Sequence, residues 1–138
     1  MYGILTLRNI HKLEMVQRRS ARYVTNRYRQ TSSVSSMLSD LKWESLQSRR
    51  VNSKLIMFYK IAHGLVAVDH DRYLCRSVNL RSSRLSHDQS YVVPHTRQNF
   101  YLYSYFPSTI RAWNALDASV VAASSVDAFK CRLHRREP

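Results

Sequence analysis

The sequence predicts a mainly α fold: a small helical domain with a short β-hairpin placed before the helix that carries Trp113. Three observations predict it. Apolar residues recur at helical spacing over most of the chain, cap-forming residues bracket those stretches, and two short runs rich in aromatic and β-branched residues, Tyr91 to Val93 and Phe100 to Phe106, break the period. The organising stretch is Tyr105 to Leu116, YFPSTIRAWNAL. Pro107 suits the first position of a helix, where its missing N–H costs nothing, and Ile110, Trp113 and Leu116 or Ala115 then share one side, which must be buried. Tyr105 or Phe106 lies within reach of Ile110 as a hydrophobic staple. This unit is a core anchor with no catalytic part.

The 138 residues, 44% hydrophobic, suit a single domain spanning 1–138. The formal net charge of +13, from 22 Lys and Arg against 9 acids, points to a polyanionic partner. Nucleic acid comes first, ahead of an acidic protein or an anionic membrane surface. No run is long enough for a spanning helix, and the opening MYGILTLRNIHK is too short in its apolar part and too soon charged for a secretory signal. Cys75 and Cys131, far apart in sequence, are expected as free thiols in a reducing compartment, which makes the protein intracellular, nuclear or cytoplasmic.

In chain order, residues 8–29 carry Arg8, Lys12, Arg18, Arg19, Arg22, Arg27 and Arg29 against a single Glu14. Ile10, Leu13, Val16 or Gln17, Ser20 and Val24 trace an apolar or small-residue stripe, so a basic amphipathic helix is expected. A charge run is ordinarily a solvated face; the near absence of acids favours phosphate contacts by Arg18, Arg19, Arg22, Arg27 and Arg29. Thr31, Ser32 and Ser33 offer N-caps to a helix over about 33–41, with Val34, Met37, Leu38 and Leu41 at i, i+3, i+4 and i+7. Asp40 can cap the next helix, about 41–63, which holds Trp43, Leu46, Val51, Leu55, Phe58, Tyr59 and Ala62 and ends at Gly64. Its Arg49 and Arg50 stand early, where the helix dipole prefers acids, and are expected to meet a partner or a carboxylate such as Glu44.

From 66 to 99 the helical period fades into an exposed connection, with a helical turn around Asp71 to Cys75. A hairpin over about 89–106 is expected from Tyr91 to Val93, then Pro94, and from Phe100 to Phe106. Strict alternation would set Tyr101, Tyr103 and Tyr105 on one face, making Tyr101 and Tyr103 candidates for base stacking; cross-strand packing is the bland alternative. After the helix at about 107–116, Val120 and Val121 form an apolar link. Ser124 and Asp127 resemble a capping box for a last helix, about 125–134, with Val126, Phe129 and Leu133 on one side and Arg132, Arg135 and Arg136 suiting its C-terminal dipole.

Catalytic parts are hard to find. Asp69 and Asp71 are the only close carboxylate pair outside helices, and they lack the flanking strands that would hold them on bound metal; a solvated turn is the stronger expectation. Cys131 and His134 have a zinc-knuckle half-spacing that Cys75 with His70 or His87 would have to complete, but structural zinc sites usually show tighter pairs. There is no nucleophile elbow, and with Gly3 and Gly64 the only glycines there is no phosphate loop. The expectation is a chain that is no enzyme on its own, with no catalytic residue, metal, cofactor or small-molecule substrate.

Five stretches in order add a resemblance over nearly the whole chain: LEMVQRRSARYVTNRY (13–28), SSVSSMLSDLKWESLQSRR (32–50), FYKIAHGLV (58–66), FPSTIRAWNAL (106–116) and SSVDAFKCRL (124–133). Together they resemble the C-terminal region, downstream of the reverse-transcriptase domain, of jockey-like non-LTR (LINE-type) retrotransposon proteins. The resemblance implies a fragment of an RNA-directed DNA polymerase from a transposable element. The polymerase domain with its Tyr or Phe-Ala-Asp-Asp box and the endonuclease, which carry the family's chemistry, are not in this chain. The tail is then a nucleic acid-binding piece that holds template RNA or target DNA, with the upstream polymerase as a second partner. The alternative is a structural module that docks on the polymerase thumb or an acidic protein surface. Asp117 departs from the Pro the family commonly has there, and the segment before Ile10 is shorter than the family's aromatic approach, which implies that Met1 is a start within a degraded element.

Overall fold

The computed structural model describes residues 7–29, 31–77, 87–95 and 98–135. The opening MYGILT, parts of the expected 66–99 connection and hairpin, and Arg136 lie outside the described residues. The fold is mainly helical: α1 Leu7–Thr25, α2 Val34–Asp40, α3 Leu46–Ala62, α4 Asn99–Leu102, α5 Tyr105–Asn114, α6 Ala118–Val121 and α7 Val126–His134. The chain divides into two compact units, Met1–Arg50 and Val51–Pro138, with the boundary inside α3.

In the first unit α1 packs against α2. Helix α1 runs through 19 residues with neither Gly nor Pro and ends where Asn26 turns left-handed at φ 52°. There the Asn26 N–H donates to the Tyr23 carbonyl and the Arg27 N–H to the Arg22 carbonyl, the paired bonds of a Schellman cap. Helix α2 starts at Ser33, whose hydroxyl accepts from the Ser36 N–H, and buries Met37 completely. It ends in the same cap, with Lys42 at φ 52° and N–H bonds from Lys42 to Ser39 and from Trp43 to Leu38. That cap corrects the expected start of the third helix. Residues 41–45 form the turn, Trp43 is partly exposed, and Ser45, whose hydroxyl accepts from the Ser48 N–H, takes the capping place expected for Asp40.

The second unit closes around Leu55, Phe58, Tyr59 and Ile61 of α3, Ile110 and Trp113 of α5, Leu116, Val120 and Val121 around α6, and Phe129 and Leu133 of α7. Aromatic rings make its spine: Tyr59 stacks on Phe129 at 4.7 Å, Phe129 lies 5.8 Å from Trp113, Trp113 5.0 Å from Phe58, and Phe58 meets Tyr91 edge-on at 5.5 Å. The buried Tyr59 hydroxyl donates to the Ala123 carbonyl at 2.8 Å. Helix α3 stops at Gly64, φ 64°, with a third Schellman cap from Gly64 to Ile61 and Leu65 to Lys60. Helix α7 is capped by Ser125, which accepts from the Ala128 N–H, one residue later than the expected Ser124. The stretch at 118–121, expected as a link, is a helical turn burying Val120 and Val121.

The expected hairpin is absent, and no strand pairs among the described residues beyond one isolated antiparallel bridge, Arg76 with Tyr91. Residues 99–102 are helical, and α5 begins at Tyr105 behind Ser104, not at Pro107. Pro107 is the third helical residue, still within the turn whose N–H groups have no helical acceptor. It also removes one of the N–H groups Ser104 would cap, and the Ser104 hydroxyl instead donates back to the Tyr101 carbonyl at 2.7 Å. The aromatic run favours strands only where a neighbouring strand supplies pairing; here Tyr105 and Phe106 are inside the helix against the core, and Phe106 stacks on Tyr73 at 4.6 Å. They are therefore not a staple ahead of it.

Trp113 and Asn114 fasten the 87–91 segment to α5. The indole N–H donates to the Gln89 carbonyl at 2.9 Å, and the His87 Nε2 meets the Trp113 carbonyl at 3.0 Å, which makes Nε2 the protonated nitrogen. The Asn114 carboxamide accepts from the Tyr91 N–H at 3.0 Å and donates to the Tyr91 carbonyl at 2.7 Å. The opposite edge of that segment bonds to residues 75–77, through Ser77 N–H to the Ser90 carbonyl and Val92 N–H to the Cys75 carbonyl.

Candidate nucleic-acid interface

Residues 1–50 hold ten of the Lys and Arg residues and only Glu14, Asp40 and Glu44 as acids. What those acids do decides how much positive charge is left over. The Glu14 carboxylate accepts from the Gln47 N–H at 2.9 Å, placing its negative charge at the start of α3 where the free N–H groups and the dipole favour it. Asp40 pairs with Arg27 at 2.8 Å, both side chains half exposed. The Glu44 backbone carbonyl accepts from the Gln17 side chain at 2.7 Å.

These bonds also choose which side of α1 is buried. Of the expected stripe Leu13, Val16, Ser20 and Val24 stand exposed and Ile10 is half-buried, while Gln17, the alternative to Val16, is buried together with Ala21. Between the two alternatives the side-chain hydrogen bonds decide: those of Glu14 and Gln17 to segment 44–47 turn the Gln17 and Ala21 side inward and leave Val16 outside.

Arg18, Arg19 and Arg22 are exposed on α1, and Arg29 is exposed beyond its cap. Among the described residues Arg27 is the only one of the early arginines in an ion pair. Arg49 is exposed and Arg50 half-buried in the first turns of α3. The two arginines make no ion pair among the described residues, and Glu14 supplies the acid the helix start calls for. Spacing places Arg18 and Arg22 one turn apart on a flank of α1, with Arg19 beside them.

Tyr101 and Tyr103 belong to the second unit, in α4 and the turn after it. Both are exposed, at 42% and 62%, but without a strand they have no common alternating face. Missed in the sequence were Tyr23 and Tyr28, exposed at 78% and 61% among the arginines of the first unit. Their signal was their position inside the basic run, hidden because tyrosine in a helix ordinarily counts toward the core.

The other candidates gather into no cluster. His70 and Asp71 form an exposed pair at 3.3 Å, His134 Nδ1 meets the Lys130 carbonyl, and both cysteines are exposed and free. No three His, Cys, Asp or Glu side chains among the described residues lie together as metal ligands. No described helix is long and apolar enough to cross a membrane. Compared with protein-family models, curated proteins and solved structures, the chain matches none.

Proposed function

We propose that the chain is a non-catalytic nucleic-acid-binding fragment of a retrotransposon RNA-directed DNA polymerase, the region following the polymerase domain in jockey-like LINE-type elements, acting inside the cell on template RNA or target DNA. The observation that carries the binding role is the set of exposed arginines on and after α1, of which only Arg27 has a carboxylate partner among the described residues. Guanidinium groups without a carboxylate partner release counterions when they meet phosphates, and that release drives association. The family assignment rests on the five ordered sequence stretches.

Titration of a labelled oligonucleotide by fluorescence anisotropy tests the binding role. If Arg18, Arg19, Arg22, Arg29 and Arg49 each neutralise one phosphate, log K falls against log salt with a slope of about −3.5 on single strands and about −4.5 on duplex. Arg18→Gln, Arg19→Gln and Arg22→Gln together should reduce the slope by about 2 on single strands. A flat titration of the parent protein would end the proposal.

A second reading has its own observation: the exposed Leu13, Val16 and Val24 on α1 suit a module docking on the polymerase thumb or an acidic protein. Under that reading the triple Gln variant changes nothing on RNA, because the parent does not bind it.

A further inference from the structure

We infer that the first unit binds its nucleic acid as an unpaired strand, with Tyr23 and Tyr28 as base-stacking platforms; the inference rests on the nucleic-acid reading above and narrows it to single strands. Lys12, Val16, Arg19 and Tyr23 recur at i, i+4, i+7 and i+11 along α1, so one exposed face alternates cation and apolar group and ends in an aromatic ring. The Tyr23 ring is the most exposed large hydrophobic side chain described, and it makes no ring contact or hydrogen bond among the described residues.

The turn that follows keeps a second ring out of the core. Asn26 reverses the backbone at φ 52°, the Schellman bonds to Tyr23 and Arg22 fix it, and the Arg27 pair with Asp40 ties the emerging chain to the end of α2. Tyr28 is left exposed between Arg27 and Arg29, and the Arg29 carbonyl accepts from the Ser32 N–H. Arg27 is thus a positioning residue whose charge is used inside the unit, while Arg19, Arg22 and Arg29 flank the two rings.

Exposed planar rings beside cations without a carboxylate partner suit one ligand chemistry. A duplex hides its base faces in the stack and offers only phosphates and groove edges. A single strand offers phosphates to the arginines and a free π-face to each ring, worth a factor of about 5 to 150 per base. An acidic protein would satisfy the cations but leave the rings without a specific use.

The test uses the full chain and two fluorescent probes, a 20-nucleotide single strand and the duplex of the same sequence, with circular dichroism to check each variant's helix content. Tyr23→Ala with Tyr28→Ala should weaken single-strand binding at least tenfold and duplex binding less than twofold, with the salt slope unchanged. Tyr23→Phe with Tyr28→Phe keeps both rings and should stay within twofold of the parent. Equal losses on both probes, or no loss on the single strand, overturn the stacking assignment while leaving the nucleic-acid reading intact. Binding of neither probe by the parent protein overturns both.

Discussion

The Tyr105 hydroxyl donates to the Lys54 carbonyl at 3.1 Å, and burial pushes its pKa up from 10.0 to about 12. Burial also raises Tyr91, with Arg76 opposing the rise. A phenol whose folded pKa lies above its unfolded value contributes stability that is complete below pH 10. That contribution is lost as pH rises from 10 towards 12, because the unfolded chain ionises first. Urea unfolding of Tyr105→Phe should therefore show a shallower decline over pH 10–12 than the parent; parallel profiles would sink this assignment. At the same scale the sequence was clear about Ile110, Trp113 and Leu116, all buried at helical spacing. It was silent about Asn114, whose role depends on a carboxamide meeting both polar groups of a residue 23 positions away.

Three of the helices end in the same geometry, and only one of them ends on glycine. Gly64 could be named from the sequence because glycine reaches positive φ without strain. Asn26 carried a weaker signal of the same kind, since its short carboxamide tolerates positive φ, and Lys42 carried none. Lys42 holds that conformation at a cost of roughly 1 kcal/mol, so Lys42→Gly should raise stability by about 0.5–1 kcal/mol, and Gly64→Ala should lower it by about the same amount. A Cβ at Gly64 would meet nothing within 4 Å, so the backbone angle alone carries that loss. Chemical denaturation midpoints measure both, and a stabilising Gly64→Ala would contradict the account. Helices α1, α2, α3, α5 and α7 were otherwise legible from period and caps, with errors of a few residues where Ser45 and Ser125 displaced earlier cap candidates, whereas α4 was read as strand and α6 as a link. The hairpin was misread because tyrosines and phenylalanines suit a strand or a buried helix start equally, and what decides is a partner strand that a local window does not contain.

For the whole molecule the governing quantity is a net charge of +13 with three ion pairs among the described residues, all largely exposed. Exposed pairs contribute little, so the self-repulsion of the cations outweighs them. Salt that shortens the reach of that repulsion should raise the thermal midpoint by about 3 °C between about 20 and 300 mM NaCl. A midpoint that falls with salt would mean the pairs dominate. Such a molecule, with several exposed tyrosines, meets a different hazard: an extended segment with a bare side recruits copies of itself. Here residues 75–77 occupy one flank of Tyr91 and a single amide plugs the other, so the lone extended ribbon described offers no seat at Tyr91 for a neighbouring chain. At Tyr91 the pairing groups that a sheet-like fibre would start from are already spoken for.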